Sequence, residues 1–187
     1  MTTSIAPAYT ELTGAYTLDP AHTRIGFVAR HAMVTKVRGA FNEFEGTAVL
    51  DGANPANSSA QVTINAASID TRNAQRDEHL RGNDFLAMAD YPQITFASTG
   101  VREVDDTTFE VTGDLTIKGV TNSVTIPFTF EGVAKDPFGN LRVGFEGSVA
   151  INRKDYGITW NAALETGGVL VSDKVTLEFE VSAVKTA

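Results

Sequence analysis

The side chains able to do chemistry are few and scattered. Three histidines, His22, His31 and His79, stand among 187 residues that include no cysteine. Without a thiol there is no thiolate nucleophile, no disulfide and no cysteine-ligated zinc. No histidine lies at the helix or strand spacing of a metal site, so no metal is expected. A Ser-His-Asp triad has no G-x-S-x-G elbow to support it. Two neighbourhoods remain for general acid–base work: Asp19 with His22, and Asp77 with His79. Caps and salt bridges around loops suit the same spacings, and Asp114 beside an apolar strand suits a turn anchor. These residues define no catalytic set and call for no cofactor, and a non-enzymatic role is the expectation.

Charged groups gather most densely between Ser68 and Pro92, in SIDTRNAQRDEHLRGNDFLAMADYP. Asn73 or Thr71 suits the N-cap of a helix there, and Gly82 suits the position just past its end. Asn83 or Asp84 then caps a second short turn, residues 85–89, which Tyr91-Pro92 stops. This helical insertion, near residues 72–89, interrupts a chain that otherwise alternates apolar and polar residues with period two. Two roles are open to it. It is a lid that plugs one end of a barrel, or an entrance where polar groups meet the head of a ligand whose tail lies inside.

The elements around it read as strands. Ile25, Phe27, Ala29 and His31 share one face of the first; Arg24, Val28 and Arg30 share the other. Phe41 and Phe44 are three apart, so both face inward only if a bulge near Asn42-Glu43 restores the phase and bends the strand. Residues 51–59 are a loop, and 61–66 a strand with Val62 and Ile64 inward. Further strands begin at Ile94, Phe109, Val124, Leu141 and Val175. Pro127 demands an edge or a bulge, Lys118-Gly119 a tight turn, and Asp136-Pro137-Phe138-Gly139-Asn140 a turn with preset φ. About eight strands joined by hairpin-like connections suit an antiparallel meander closing into a barrel.

Length suits one domain over residues 15–187, preceded by a flexible leader, residues 1–14. The formal net charge of −8 at pH 7, with no Lys/Arg run, argues against a nucleic-acid binder, and no nucleic-acid partner is expected. No stretch approaches transmembrane length, so the chain is not expected to be an integral membrane protein. The N-terminus has no basic n-region or apolar signal-like run, which makes the cytoplasm the expected compartment. Eleven Phe and one Trp are many large rings for one barrel. They either fill the core or line a tunnel for a long apolar cargo. In a tunnel each buried methylene gains about 0.8 kcal/mol, so an isoprene unit gains roughly 3–4 kcal/mol before losses.

From Tyr16 to Val184 the chain resembles the YceI-like, or polyisoprenoid-binding, family. The landmarks are Leu18-Asp19-Pro20-Ala21-His22-Thr23, Phe27-Val28-Ala29-Arg30-His31, Gly39-Ala40-Phe41 with Phe44-Glu45-Gly46, and Ser68-Ile69-Asp70-Thr71. Most specific are Arg76-Asp77-Glu78-His79-Leu80 with Asp84-Phe85, and Tyr91-Pro92-Gln93-Ile94-Thr95-Phe96. Gly113-Asp114-Leu115-Thr116-Ile117-Lys118-Gly119, Ile151-Asn152-Arg153-Lys154-Asp155-Tyr156-Gly157 and Val171-Ser172-Asp173-Lys174-Val175 complete the series.

The resemblance implies a lipocalin-like, extended eight-stranded antiparallel β-barrel. Its tunnel would hold an isoprenoid lipid, such as a polyprenyl phosphate or a quinone tail, or another long apolar small molecule, for carriage or sequestration. It also implies that homodimers are common. Inward parity together with the resemblance places Phe27, Phe41, Ile64, Phe85 and Phe96 near the tunnel, followed by Ile126, Phe128, Phe145 and Trp160. Arg76, His79 and Arg153 are candidates for a polar or phosphorylated head, with His31 on the rim, and Asp77 is a candidate brace of the lid. Two other classes compete: an enzyme using Asp77 and His79 on an apolar substrate, and a structural module whose tunnel is filled by its own side chains.

Overall fold

Among the described residues, period-two alternation is realised as eleven strands. They are β1 (Gly14–Leu18), β2 (Arg24–His31), β3 (Thr35–Phe41), β4 (Phe44–Leu50), β5 (Ser59–Asn65), β6 (Ile69–Asp70), β7 (Gln93–Glu103), β8 (Thr108–Ile117), β9 (Val120–Lys135), β10 (Leu141–Asn152) and β11 (Val171–Lys185). One helix, α1 (Ala74–Arg81), lies between β6 and β7. The computed structural model describes residues 9–165 and 167–187.

Strand pairing follows the order β1-β4-β5-β7-β8-β9-β10-β11 and returns to β1, closing an antiparallel barrel of eight staves. The other three strands extend staves rather than adding to them. β2 continues β1 along the same edge of β11, facing residues 171–180 while β1 faces 183–185. β3 and β4 run together along that composite stave, and β5 and β6 run along theirs. The chain is thus an up-and-down meander in which every connection is local. Closure through β1 and β11 pairs the first stave with the last, so the sheet has no terminal stave at that end of the barrel.

Three staves break side by side, at residues 19–23, 42–43 and 66–68. The break expected between Phe41 and Phe44 is one of them; its neighbours share its hydrogen bonds. Asn42 N–H donates to Ser68 O (3.1 Å) and Asn65 N–H to Glu43 O (2.9 Å). The Thr23 hydroxyl donates to Ser182 O and accepts from Ser182 N–H, both at 3.0 Å, tying the first break to β11. Aligned breaks bend adjacent staves together, as barrel curvature requires.

Pro127 sits where the ladder between β9 and β10 ends, at the Phe128–Gly147 pair. Beyond it β10 pairs only with β11, so the missing N–H of Pro127 costs no bond on that side. The 3-10 turn Arg153–Tyr156 bridges the two strands there: Asn122 Nδ2 donates to Asp155 O (2.9 Å) and Lys118 Nζ to Gly157 O (3.2 Å). The tight turn at Lys118 (φ 52°) and Gly119 (φ 74°) has positive φ at both positions, the twist a two-residue hairpin favours. Asp136 Oδ1 accepts from Phe138 N–H and Asn140 N–H, and Gly139 takes φ 85°, as that turn's composition predicts.

The two ends differ. At one lie α1, the β2–β3 and β8–β9 turns and residues 153–165 and 167–170; at the other lie residues 9–13, the 51–58 loop and two hairpins. From Tyr9 onward the expected leader is part of the fold: Leu12 is buried, and Tyr9 packs edge-on against Phe130 at 5.5 Å. Residues 1–8 of that leader lie outside the described residues.

Candidate functional site

The barrel encloses an apolar cavity of about 370 Å³ that runs from the helical cap to the Tyr9–Leu12 turn. Its wall follows from strand parity. Alternate residues of each stave turn inward, and pairs of rings meet either across adjacent strands or, for Phe128 and Phe179, over Gly147 of the strand between them. Phe27 faces Phe41 at 5.9 Å, Phe128 faces Phe179 at 5.9 Å, and Phe130 faces Phe145 at 5.3 Å between ring centroids. Core side chains therefore coat the space without filling it.

The cap is built from the charged insertion. Asn73 caps α1 by accepting from Arg76 N–H (2.9 Å), and Gly82 ends it. The second turn, residues 85–89, is not helical: Ala87 adopts φ 47°, and Phe85, Leu86 and Ala87 are buried. Leu80, Phe85 and Leu86 project into the tunnel. Asp77, 6% exposed, holds the cap from below by accepting from the backbone N–H and hydroxyl of Thr71.

Nine of the residues expected at the tunnel line it: Phe27, Phe41, Ile64, Phe85, Phe96, Ile126, Phe128, Phe145 and Arg153. Four do not. His31 is exposed at the end of β2. Arg76 folds back onto Thr71, donating from Nε to Oγ1 and from Nη2 to O, both at 2.7 Å. Trp160 stands one ring behind the lining, 5.4 Å from Phe85. His79 packs edge-on against Phe85 and Trp160 and pairs through Nε2 with Asp84 (2.9 Å), beside a shallow polar depression on the outside of the cap. Asp77 and His79 are therefore not an acid–base pair, since one carboxylate faces Thr71 and the imidazole faces another. Asp19 and His22 do meet, at 2.7 Å, within a surface bracket that also holds Arg142.

Arg153 lines the cavity but offers it few donors. Only 4% exposed, its guanidinium donates to the carbonyls of Ser172 (2.8 Å), Ile158 (2.9 Å), Trp160 (2.8 Å) and, more weakly, Val171 (3.4 Å). Burial lowers its pKa from the ordinary arginine value, and Asp173 at 3.8 Å opposes that shift. The other charged lining residue, Asp51, accepts from Asn54 N–H, Asn57 Nδ2 and Ala53 N–H, which hold its carboxyl below the usual range. Among the described residues, no ionised side chain presents an uncommitted charge to the tunnel.

Tyr156 is the functional candidate that strand periodicity missed. It lies in the 3-10 turn, lines the cavity, is 2% exposed, and its hydroxyl has no hydrogen-bond partner among the described residues. Asn122 stands beside it and tempers the upward pKa shift that burial imposes, but its Nδ2 donates to Asp155 O and no sound bond reaches the phenol. Phe109, Phe130 and Phe179 also line the tunnel, and their alternation along β8, β9 and β11 was legible.

Known proteins share this architecture. Residues 16–183 match the YceI-like domain. A UPF0312 protein of Staphylococcus aureus (strain MSSA476) is 41% identical over 169 residues, 90% of this chain and 95% of that one. Among solved structures, Burkholderia cenocepacia BcnA superposes with TM-score 0.78 at 29% identity, covering 88% of this chain and 98% of its own. A polyisoprenoid binding domain from Saccharophagus degradans shares the fold at TM-score 0.68 and 17% identity, covering 91% and 98%. On the match across almost the whole barrel, this chain belongs to the family of YceI-like domains.

Proposed function

We propose that the protein binds a long-chain isoprenoid lipid in its barrel and carries or sequesters it without turning it over. The observation that carries this reading is the long Phe-lined cavity, which reaches Leu80 of α1 at one end and the Tyr9–Leu12 turn at the other. Its volume falls within the range of small-molecule sites. The Saccharophagus degradans neighbour is a polyisoprenoid binding domain on the same fold, which supports the reading at the level of architecture. A tunnel whose charges are committed to backbone groups favours a tail with a neutral or weakly polar head over a diphosphate. The orphaned phenol of Tyr156 is the group that would donate to such a head. Asp77 and His79, needed by an acid–base enzyme, are engaged elsewhere, which favours the carrier.

The test is native mass spectrometry of freshly purified protein followed by organic extraction. A stoichiometric isoprenoid is the expected finding. Protein that is empty and takes up no added polyprenyl lipid would end the proposal.

A further inference from the structure

The β2–β3 hairpin differs from the rest of the surface. From Ala21 to Asn42 the chain carries Arg24, Arg30, Lys36 and Arg38 and no acid, although the whole protein has a net charge of −8. The three-residue loop at its tip exposes Met33 (60%) and Val34 (78%), and Val169 stands exposed on the adjoining loop. Met33 lies across Gly168 so closely that a side chain there would collide with it, and Ala32 N–H donates to Leu170 O (2.7 Å). The tip is thus an ordered apolar knob, held at the capped end of the barrel.

Directly behind the tip, Arg30 and Lys36 are cross-strand partners. Like charges placed opposite one another destabilise a strand pair. Glu178 answers Arg38 (3.5 Å) and Arg24 (3.8 Å), and Asp173 is held by Lys154 (3.3 Å). Among the described residues neither Arg30 nor Lys36 has an acidic partner within 4.0 Å, and Arg30 Nη1 instead reaches toward Val34 O (3.4 Å) at the tip. An apolar knob backed by two unanswered cations complements an interface that is oily beneath and anionic on top.

We infer that this hairpin docks the capped end of the barrel on a bilayer containing anionic phospholipid, with Met33 and Val34 among the acyl-chain ends and Arg30 and Lys36 on the phosphates. The acidic remainder of the protein is repelled by such a surface, which orients the molecule tip-down. The inference concerns the outer surface and does not rest on which lipid occupies the tunnel.

The test is co-sedimentation with phosphatidylcholine vesicles, with and without phosphatidylglycerol, while extracted lipid per chain is measured in parallel. Wild-type protein is expected to pellet with the anionic vesicles only, and less so as salt is raised. Arg30→Ala with Lys36→Ala should weaken partitioning by about 25-fold, about fivefold per charge. Met33→Asp with Val34→Asp should abolish it with tunnel contents unchanged; Asp tolerates the left-handed backbone at position 33 (φ 64°). Wild-type protein that does not pellet, or both variants pelleting like wild type, would overturn the inference. So would a concentration-dependent dimer that the Asp variant dissolves, because the knob would then belong to a second copy. Tunnel contents remain measurable in every case, so docking and cargo fail separately.

Discussion

The hydroxyl of Thr71 and the carboxylate of Asp77 meet at 2.5 Å beneath the first turn of α1, and the same hydroxyl accepts from Arg76 Nε at 2.7 Å. A short relay of carboxylate, hydroxyl and guanidinium thus fixes the helical cap to the end of β6. The densest cluster of charge in the chain is a clasp.

Breaking the clasp should loosen the cap before it empties the tunnel. Asp77→Ala leaves the Thr71 N–H and hydroxyl without their acceptor in a buried place, a loss of about 1–3 kcal/mol. Denaturant unfolding should show that loss, and hydrogen exchange should rise across residues 71–88. Arg76→Ala should release bound lipid faster while leaving equilibrium affinity for a diphosphate-headed lipid unchanged. A large affinity loss specific to that head would return Arg76 to the binding site.

Tyr156→Phe separates binding from stability. It removes a buried hydroxyl with no partner, so the empty protein should be as stable as wild type or more so by up to about 1 kcal/mol. If the phenol donates to the cargo's head, affinity for a carbonyl-headed isoprenoid should fall by about tenfold, and affinity for the bare hydrocarbon should not change. Equal losses for both ligands would make Tyr156 a packing residue alone.

Filling the tunnel tests the cargo's place. Val111 lines the cavity from β8. Val111→Trp should be accommodated in that open space at a cost of about 1–3 kcal/mol and should exclude or shorten the bound chain. Undiminished lipid content in a folded Val111→Trp variant would move the cargo out of the barrel.

Acid should open the bracket at the first stave break. Asp19 accepts from His22 and from Arg142, which hold its carboxyl at about 2, below the ordinary 3.8. A depressed carboxylate contributes stability above its unfolded value and loses it as pH falls through the folded one. Wild type should therefore be more stable than Asp19→Asn near neutral pH, with the difference vanishing between about pH 4 and pH 2. Melting temperatures of the two proteins across that range are the measurement. A gap that persists in acid would rule out the carboxylate's charge as its origin.

The barrel was legible because its signals are local. Phe27, Phe96 and Phe128 each sit in a run whose parity alone decides which face they take, and the mismatch between Phe41 and Phe44 located a bend. Asn73 and Gly82 marked both ends of α1 correctly, because caps depend on the few adjacent backbone groups. The polar site was less legible. Arg76, His79 and Arg153 have the composition of a head-group site, yet each is occupied by neighbours that sequence spacing does not reveal.

What the sequence by itself determined is the alternation of faces, the number of staves, the position of the cap and the family. Those follow from backbone periodicity and near-neighbour capping, which act over a few residues. Only the tertiary structure decided that the tunnel is open, that Arg153 is caged by carbonyls from residues 158, 160, 171 and 172, and that Tyr156 is left without a partner. Those outcomes depend on how loops from distant parts of the chain close over one end of a barrel. Hydrogen-bond geometry there is settled by differences of less than an ångström, and no local pattern in the sequence carries them.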